Sequence, residues 1–315
     1  MDRAAEKVTG KEPGTVMQPS LQAPSGMVGH AADRLCAAIS RVASPTCVGL
    51  DPVLEKLPAS LKPRDGADAS VARAIESFSL QVLDAISGRV GIVKFQSACF
   101  ERYGFEGVAA LERLIRAAAE RDLATILDAK RGDIGISASH YAATGSRMGA
   151  DWMTINGWLG EDGISPFLKE GSGAFVLVRT SNASSQQMQC LQLEDGRTVA
   201  EGMADLVTEL ASDHCGACGY STLGAVVGAT HPAELAGFRE RMPGVFMLLP
   251  GYGAQGGTAE SLSPAFDANG LGAIVTASRS VIYAFKDRDG DWSAHVQSAA
   301  SEFAEAIGTV SGLRS

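Results

Sequence analysis

The chain has 315 residues, of which 45% are hydrophobic and 20% are charged, and its formal net charge at pH 7 is -9. This length is sufficient for one α/β barrel of about 250 residues with a tail, or for two smaller domains. The acidic balance argues against a general nucleic-acid or anionic-membrane binder, because such proteins attract phosphate through basic patches.

The N-terminal residues and the cysteines indicate the compartment. Residues 1–27 are rich in Pro, Gly and polar side chains and predict a disordered tail. They have neither the apolar stretch of a signal peptide nor the acid-poor character of a transit peptide. The six cysteines follow no disulfide-framework spacing, and no apolar run approaches the roughly 20 residues that span a bilayer. We therefore expect a cytoplasmic protein with no membrane partner.

From residue 28 onward, short apolar runs alternate with stretches of helical periodicity. The runs are, in order, 46–51, 91–96, 123–130, 151–156, 174–181, 224–230, 245–251 and 272–279. Strands that alternate with helices predict an α/β fold with a parallel sheet covered by helices. Eight such units predict closure into a (β/α)8 TIM barrel formed by one domain, residues 28–315. An open doubly wound sheet is the alternative.

The helical stretches show apolar residues spaced three and four apart. Between the first two runs the stripe consists of Val71, Ala74, Ile75, Phe78, Val82 and Ile86, and between the second and third it consists of Val108, Leu111, Ile115 and Ala118. Residues 198–213 predict a crossover helix before the sixth strand, with a loop ahead of it. Residues 291–309 predict the closing helix.

Ionisable side chains lie at the ends of the first three runs: Asp51, then Lys94, then Asp128 and Lys130, with Asp133 in the loop behind. Alternate side chains of a strand share a face, so Asp128 and Lys130 point the same way. In a barrel that direction is inward, at the carboxyl-terminal mouth where such enzymes place their chemistry. Alternating charges offset the several kcal/mol (~3–5) that an unpaired buried charge costs. A structural ion-pair network is the alternative, but the conjunction of these residues favours a catalytic site.

A glycine-rich loop follows the seventh run. Residues 251–256, "GYGAQG", fit the pattern G-x-G-x-x-G. A dinucleotide site requires an acidic residue about 20 positions further on, and residues 273–281 contain none. The loops after strands seven and eight of a barrel commonly bind phosphate instead, and Arg279 adds a forked cation suited to phosphate oxygens. We therefore expect a phosphate site here.

Several blocks together resemble one family. The stretch "DAKRGDI" resembles the Asp-x-Lys-x-x-Asp signature of orotidine 5'-phosphate decarboxylases. The blocks "VGLDP", "KFQSACFERYG", "VLVRTSN", "LPGYGAQGG" and "ASRSVIYA" resemble, in the same order, other blocks of its type 2, mycobacterial-like subgroup, from about residue 46 to residue 285. The resemblance implies a homodimeric (β/α)8 barrel that converts orotidine 5'-monophosphate to uridine 5'-monophosphate and CO2 in pyrimidine biosynthesis. It also implies that the reaction needs neither metal nor organic cofactor.

The resemblance assigns a role to each matching position. Lys94, Asp128, Lys130 and Asp133 match the charged catalytic tetrad, in which Lys130 is the proton donor to C6 and Asp133 serves the neighbouring subunit's site. Asp51 and Lys94 are expected to hold the ribose hydroxyls, helped by Ile134 and Ser137 across the dimer interface. Ser181 is expected to contact the pyrimidine. Gln255 and Arg279 are expected to bind the phosphate, with Gly256 and Ser278 near them.

Two positions depart from the family pattern, and one further motif is considered as a metal site. Gly157 and Ala183 stand where relatives usually carry proline, and both loosen the loop backbone without removing a reacting group. His214, Cys215 and Cys218 form an H-C-x-x-C motif, but no second ligand pair follows at a zinc spacing, so we expect no metal site.

Two other functions are possible. Another phosphate-binding barrel, such as a sugar-phosphate decarboxylase or a metal-dependent aldolase, would share Asp-x-Lys-x-x-Asp but not "TSN" or "GYGAQGG". A catalytically inactive nucleotide-binding protein would have no reason to crowd carboxylates near an anionic ligand. The sequence therefore favours the decarboxylase.

Overall fold

The computed structural model describes residues 29–168, 171–229, 232–253 and 258–314. Within them, eight parallel strands close into a barrel in chain order. The strands are β1 Thr46–Leu50, β2 Ile92–Gln96, β3 Ala124–Arg131, β4 Trp152–Ile155, β5 Gly173–Arg179, β6 Leu223–Val227, β7 Met247–Pro250 and β8 Ala273–Ala277. Each overlaps one predicted run, so the predicted (β/α)8 barrel is confirmed and the open doubly wound sheet is wrong.

Helices surround the barrel, and the first of them packs on the cluster inside it rather than on its outer face. They are α1 Ala31–Val42, α2 Asp68–Ile86, α3 Ala98–Glu101, α4 Gly104–Ala119, α5 Gly135–Met148, α6 Glu161–Ile164, α7 Gln186–Gln189, α8 Val199–Ala211, α9 Pro232–Arg241, α10 Arg279–Ile282 and α11 Trp292–Ser311. The two predicted apolar stripes lie on α2 and α4 and are largely buried against the barrel. The predicted crossover helix is α8, and the predicted closing helix is α11.

The strand alternation divides the core into two layers. On β2, Val93 and Phe95 belong to the cluster between barrel and helices, whereas Ile92 belongs to the cluster inside the barrel. Inside, the rings of Trp152 and Phe175 stack with their centroids 4.5 Å apart. Because these apolar side chains fill the interior below the strand ends, the inward positions at the carboxyl-terminal mouth can carry polar groups.

The backbone of strand β3 departs from regular strand geometry at its charged end, near Asp128 and Lys130. Lys130 has a φ of 47°, and the pairing of β3 with β4 shifts register between Leu127 and Arg131. A left-handed backbone is costly for a residue with a side chain and persists only when its surroundings hold it. Here the Lys130 backbone N–H donates to Thr154 Oγ1 at 3.0 Å. The bend therefore fixes where the Lys130 side chain leaves the strand.

Two further predictions concern the N-terminal tail and the membrane. The predicted disordered tail, residues 1–27, lies outside the described residues. Among the helices of the described ranges, none combines the length and apolar character needed to cross a membrane.

Candidate active site

A cavity of about 630 Å³ opens at the carboxyl-terminal mouth of the barrel. The predicted site residues that line it are Asp51, Lys94, Asp128, Lys130, Ser181, Ser278 and Arg279. They come from the ends of strands β1, β2, β3, β5 and β8, which all open on the same rim because the strands are parallel. The structure therefore brings these predicted residues together.

Asp128 is at the centre of a polar cluster. Its side chain accepts hydrogen bonds from Lys94 Nζ at 2.6 Å and from Lys130 Nζ at 2.5 Å. It also accepts from Thr154 Oγ1 at 2.8 Å and from Gln96 Nε2 at 3.3 Å. Four donors therefore hold one buried carboxylate, which leaves it little freedom to rotate.

The charges of this cluster stabilise one another. Burial alone would raise the pKa of Asp128, but the positive charges of Lys94 and Lys130 and their hydrogen bonds outweigh burial and lower it. Burial alone would lower the pKa of Lys94, but the negative charges of Asp128 and Asp51 outweigh burial and raise it. Asp128 and Lys94 are therefore both charged at neutral pH.

Asp51 lies beside Lys94 but is less tightly held. Its Oδ1 is 3.8 Å from Lys94 Nζ, and this buried oxygen has no hydrogen-bond partner among the described residues. The backbone below it is fixed, because Tyr283 Oη donates to the Asp51 carbonyl at 3.1 Å and accepts from the Val53 N–H at 2.8 Å. The Asp51 side chain is 32% exposed and lines the cavity, so its carboxylate can accept from a donor there, such as a hydroxyl group.

The segment after β5 forms another wall of the cavity. Ser181 lines it together with Thr180, Asn182 and Gln189. Ser181 packs directly on the end of β6, where a Cβ on Gly228 would lie 2.9 Å from Ser181 Cα. Because any larger residue at position 228 would push this backbone away, Gly228 permits the approach of Ser181 to the site.

The predicted phosphate side is only partly described. Ser278 and Arg279 line the cavity at the end of β8, and Arg279 is exposed. A Cβ on Gly49 would lie 2.0 Å from Ser278 Oγ, so this glycine allows Ser278 to lie against β1. The predicted phosphate residues Gln255 and Gly256 lie outside the described residues.

The predicted residues from across a dimer interface do not line the cavity of their own chain. Asp133 is half-buried, and its Oδ1 accepts from the Ile134 N–H at 2.8 Å. Ile134 and Ser137 are exposed. The three therefore lie beside the mouth rather than inside it.

Sequence analysis missed several polar side chains of the cavity. Thr154 and Gln96 bind Asp128 directly, and Thr276 presents a buried hydroxyl without a partner among the described residues. Each occupies an inward position at the end of a strand. Thr154 and Thr276 each lie two residues beyond an apolar residue that faces the barrel interior. That periodicity could have identified them, but polar residues at strand ends are too common for the position alone to indicate a function.

The H-C-x-x-C motif lies away from this cavity. Asp33 Oδ1 accepts from the Cys218 N–H at 2.8 Å, and Asp33 Oδ2 accepts from the Ala217 N–H at 3.2 Å. Within the described ranges, no three His, Cys, Asp or Glu side chains are arranged to hold a metal ion. The turn is therefore tied to α1 by hydrogen bonds to Asp33.

Comparison with known proteins gives one consistent result. The sequence model of the orotidine 5'-phosphate decarboxylase / HUMPS family matches residues 44–289. An orotidine 5'-phosphate decarboxylase of Rhodopirellula baltica is 43% identical over 271 residues, which cover 81% of this chain and 89% of the relative. An orotidine 5'-phosphate decarboxylase of Deinococcus radiodurans is 42% identical over 245 residues, which cover 76% and 84% of the two chains.

Solved structures agree with the sequence comparisons. The structure of Leishmania donovani OMP decarboxylase superposes with a TM-score of 0.73 at 30% identity. The match covers 90% of this chain and 99% of that one. The similarity therefore extends over the whole barrel rather than over a shared motif.

Proposed function

The chain belongs to the orotidine 5'-phosphate decarboxylase / HUMPS family, and we propose that it decarboxylates orotidine 5'-monophosphate through the lysines and aspartates at the mouth of its barrel. Within this family its relatives over most of the chain are orotidine 5'-phosphate decarboxylases, so it is a carboxy-lyase of pyrimidine biosynthesis rather than a sugar-phosphate enzyme. The observation that carries the proposed mechanism is the contact of one buried carboxylate, Asp128, with two ammonium groups, Lys94 and Lys130.

Lys130 is the proposed general acid. When the bond between C6 and the carboxyl group breaks, its electron pair stays on C6, where the pyrimidine offers no conjugated sink. A fixed ammonium group beside C6 stabilises that charge without reorganising solvent. Proton transfer from Lys130 Nζ to C6 then completes the reaction. Unlike the buried Lys94, the Lys130 side chain is 46% exposed at the cavity wall, so substrate can reach it.

Asp128 has two proposed roles. It orients both ammonium groups through its hydrogen bonds. It also places a negative charge near the substrate carboxylate, which disfavours the bound ground state relative to a transition state that is losing CO2. Because Thr154 and Gln96 hold the carboxylate as well, it cannot easily turn away from the substrate.

The other lining residues would bind the nucleotide. Asp51 and Lys94 would hold the ribose hydroxyls, which fits the position of both residues at the cavity and the 32% exposure of the Asp51 side chain. Ser181 would hydrogen-bond the pyrimidine edge. Arg279 and Ser278 would bind the phosphate with Gln255 and Gly256. Binding energy from the remote phosphate would offset the cost of charge crowding at C6.

Arg279→Ala tests the phosphate assignment. We expect kcat/KM for orotidine 5'-monophosphate to fall about 100-fold, because a hydrogen bond to a charged group contributes about 1.5–3 kcal/mol. For orotidine, which lacks the phosphate, kcat/KM should stay within about two-fold of wild type. Arg288→Ala is the matched control, because Arg288 is exposed and does not line the cavity. An equal loss with both substrates would contradict the assignment.

The site is proposed to be shared between two subunits. Asp133, Ile134 and Ser137 lie beside the mouth, where Ile134, Ile136, Trp158 and Leu159 are exposed. The loops that carry them touch, since a Cβ on Gly163 would lie 3.4 Å from the Asp133 carbonyl oxygen. An exposed apolar patch of this kind marks an interaction surface. In a two-fold symmetric dimer it would bring Asp133 of each subunit to the other's site.

Mixing inactive variants tests the shared site. Lys130→Ala and Asp133→Asn should each be nearly inactive alone. After subunit exchange at equal concentrations, about one quarter of the sites should be complete, because half the dimers are hybrids with one intact site each. We therefore expect about a quarter of wild-type activity. Lys130→Ala mixed with Asp128→Asn is the control, since no combination of those subunits contains a complete site. A lack of recovery in the first mixture, with exchange verified by mass spectrometry, would contradict the shared site.

A spectrophotometric assay tests the function itself. Purified protein should convert orotidine 5'-monophosphate to uridine 5'-monophosphate, and dialysis against a chelator should leave kcat/KM unchanged. Loss of activity with the chelator and its return with a divalent metal would contradict the proposed independence from cofactors. An absence of conversion under both conditions would contradict the proposed function.

A further inference from the structure

Arg179 is a buried cation that the proposed mechanism does not use. It is the last residue of β5, and its side chain is 1% exposed. The pairing of β5 with β6 shifts register between Leu177 and Arg179, and such irregularities re-aim side chains at the rims of barrels. Arg179 accordingly lines a neighbouring cavity of about 550 Å³ beside α8 and α9, not the substrate cavity.

The guanidinium group connects two loops of the barrel mouth. Its Nε and Nη2 donate to the two carboxylate oxygens of Glu234 on α9, at 2.8 and 3.3 Å. Its Nη1 donates to Ser185 Oγ at 2.5 Å. The Arg179 backbone carbonyl accepts from the Gly228 N–H at 2.7 Å. The forked group therefore ties the segment after β5 to the helix after β6.

Ser185 belongs to the 180–189 segment, which carries Ser181. Within this segment, Gln189 Oε1 accepts from the Thr180 N–H at 2.8 Å, and Gln189 Nε2 donates to Thr180 Oγ1 at 2.9 Å. Thr180 Oγ1 donates to Asn182 Oδ1 at 2.7 Å. The segment is thus closed on itself by polar side chains, and Arg179 joins it to the barrel at Ser185, which is buried while the other residues of the segment are exposed or half-buried.

A buried guanidinium group makes this connection stiff. Removing a charged group from water is expensive unless its donors are paired in good geometry. Ser185 and Glu234 therefore cannot move apart without exposing or unpairing the charge. The same constraint limits the positions that Ser181 can take relative to the pyrimidine.

We propose that Arg179 is a positioning residue that fixes the 180–189 segment for recognition of the pyrimidine base. This inference depends on the proposed function, because it assumes a nucleotide with Ser181 at its base. Arg179 acts from outside the substrate cavity, through Ser185 and with Glu234 as its counter-ion. It sets the affinity for the base and leaves the phosphate side of the site unaffected.

The test compares two ligands that differ by the base. Dissociation constants of uridine 5'-monophosphate and ribose 5-phosphate are measured by calorimetry for wild type and for Arg179→Met. We expect the variant to bind uridine 5'-monophosphate about 10- to 100-fold more weakly, since it loses hydrogen bonds from a charged group. Ribose 5-phosphate affinity should stay within about two-fold. Arg179→Lys should recover part of the loss.

A matched control comes from the same neighbouring cavity. Arg241 on α9 donates from Nη1 to Asp205 Oδ1 on α8 at 2.9 Å. Arg241→Met therefore removes an arginine contact between these two helices but leaves the contact of Arg179 with Ser185 in place. This variant should bind both ligands as wild type does. If Arg179→Met fails to fold, Ser185→Ala removes the same contact and should show the same base-specific loss, to a smaller extent.

The outcomes separate this inference from the proposed function. Equal losses for both ligands, or unchanged uridine 5'-monophosphate binding in folded Arg179→Met and Ser185→Ala, would overturn the positioning role while wild type still decarboxylates orotidine 5'-monophosphate. Failure of wild type itself to decarboxylate would instead overturn the proposed function.

Discussion

Replacing Lys130 by alanine is expected to lower kcat/KM for orotidine 5'-monophosphate about 10⁵-fold, because the variant loses both the proton donor and the cation beside C6. General acid catalysis contributes about 10²–10⁴-fold, and one preorganised electrostatic group contributes about 10²–10³-fold. Stability should change little, since the Lys130 side chain is 46% exposed and Asp128 keeps its contact with Lys94. Steady-state kinetics and a thermal melt measure the two effects.

Two control variants sharpen this prediction. Lys130→Arg keeps the positive charge but offers a poor acid, because an arginine side chain retains its proton, so it should recover at most the electrostatic part of the lost rate, about 10²–10³-fold. Lys286→Ala removes a lysine whose side chain is 79% exposed and should have no effect. A folded Lys130→Ala protein with wild-type turnover would reject Lys130 as the acid.

Replacing Asp128 by asparagine is expected to destabilise the protein by about 3–5 kcal/mol, the usual cost of breaking a buried ion pair by removing one partner. The reason is Lys94, whose side chain is only 6% exposed and would lose its 2.6 Å partner. Activity should also fall, by about 10³-fold, as the orientation of both lysines and the repulsion of the substrate carboxylate are lost. Urea denaturation at pH 7 measures the free energy of unfolding.

The pH dependence of this stability difference has a defined sign. Because the folded protein lowers the pKa of Asp128, the stabilisation by this group is complete above its unfolded pKa of about 3.9 and is lost as the pH falls towards the folded pKa. The difference between wild type and Asp128→Asn should therefore be constant from about pH 5 to pH 8 and shrink below about pH 4. Asp84→Asn, which breaks an exposed pair with Arg121, should cost at most about 1 kcal/mol at any pH. A pH-independent difference in acid would contradict the role assigned to Asp128.

The barrel fold could be predicted from the periodicity of apolar residues along the chain. Strand residues such as Val93 and Phe95 face the helices while Lys94 faces inward, and a period of two is enough to predict that arrangement. The count of eight strand and helix units then predicted closure of the sheet. The same alternation predicted that Asp128 and Lys130 point the same way, and in the structure both line the cavity; their hydrogen bond was not predicted.

Other features depend on distances that no spacing reveals. The left-handed backbone of Lys130 arises from the shifted pairing of β3 with β4 and from a hydrogen bond to Thr154. Arg179 lies in a strand where alternation would place it inward, and only the irregular pairing with β6 takes it to Glu234. Neighbouring strands decide both outcomes, so neither residue's own sequence context could show them.

The family resemblance is confirmed by the comparisons, whereas its finer implications stay predictions. These are the type 2 subgroup, the cytoplasmic location, the homodimer and the individual roles of the site residues. Gln255 and Gly256 lie outside the described residues, so the phosphate site depends on the Arg279 variant for its test.

The central claim is that Lys130 exchanges a proton with C6 of the pyrimidine, and hydrogen exchange in the product tests it most directly. The group that protonates C6 must also be able to remove that proton in the reverse direction. Uridine 5'-monophosphate incubated with wild type in D2O should therefore lose its H6 signal in the proton NMR spectrum faster than in the absence of protein, and with Lys130→Ala it should not. Equal exchange rates for the two proteins, or no enzyme-dependent exchange with wild type, would contradict the account.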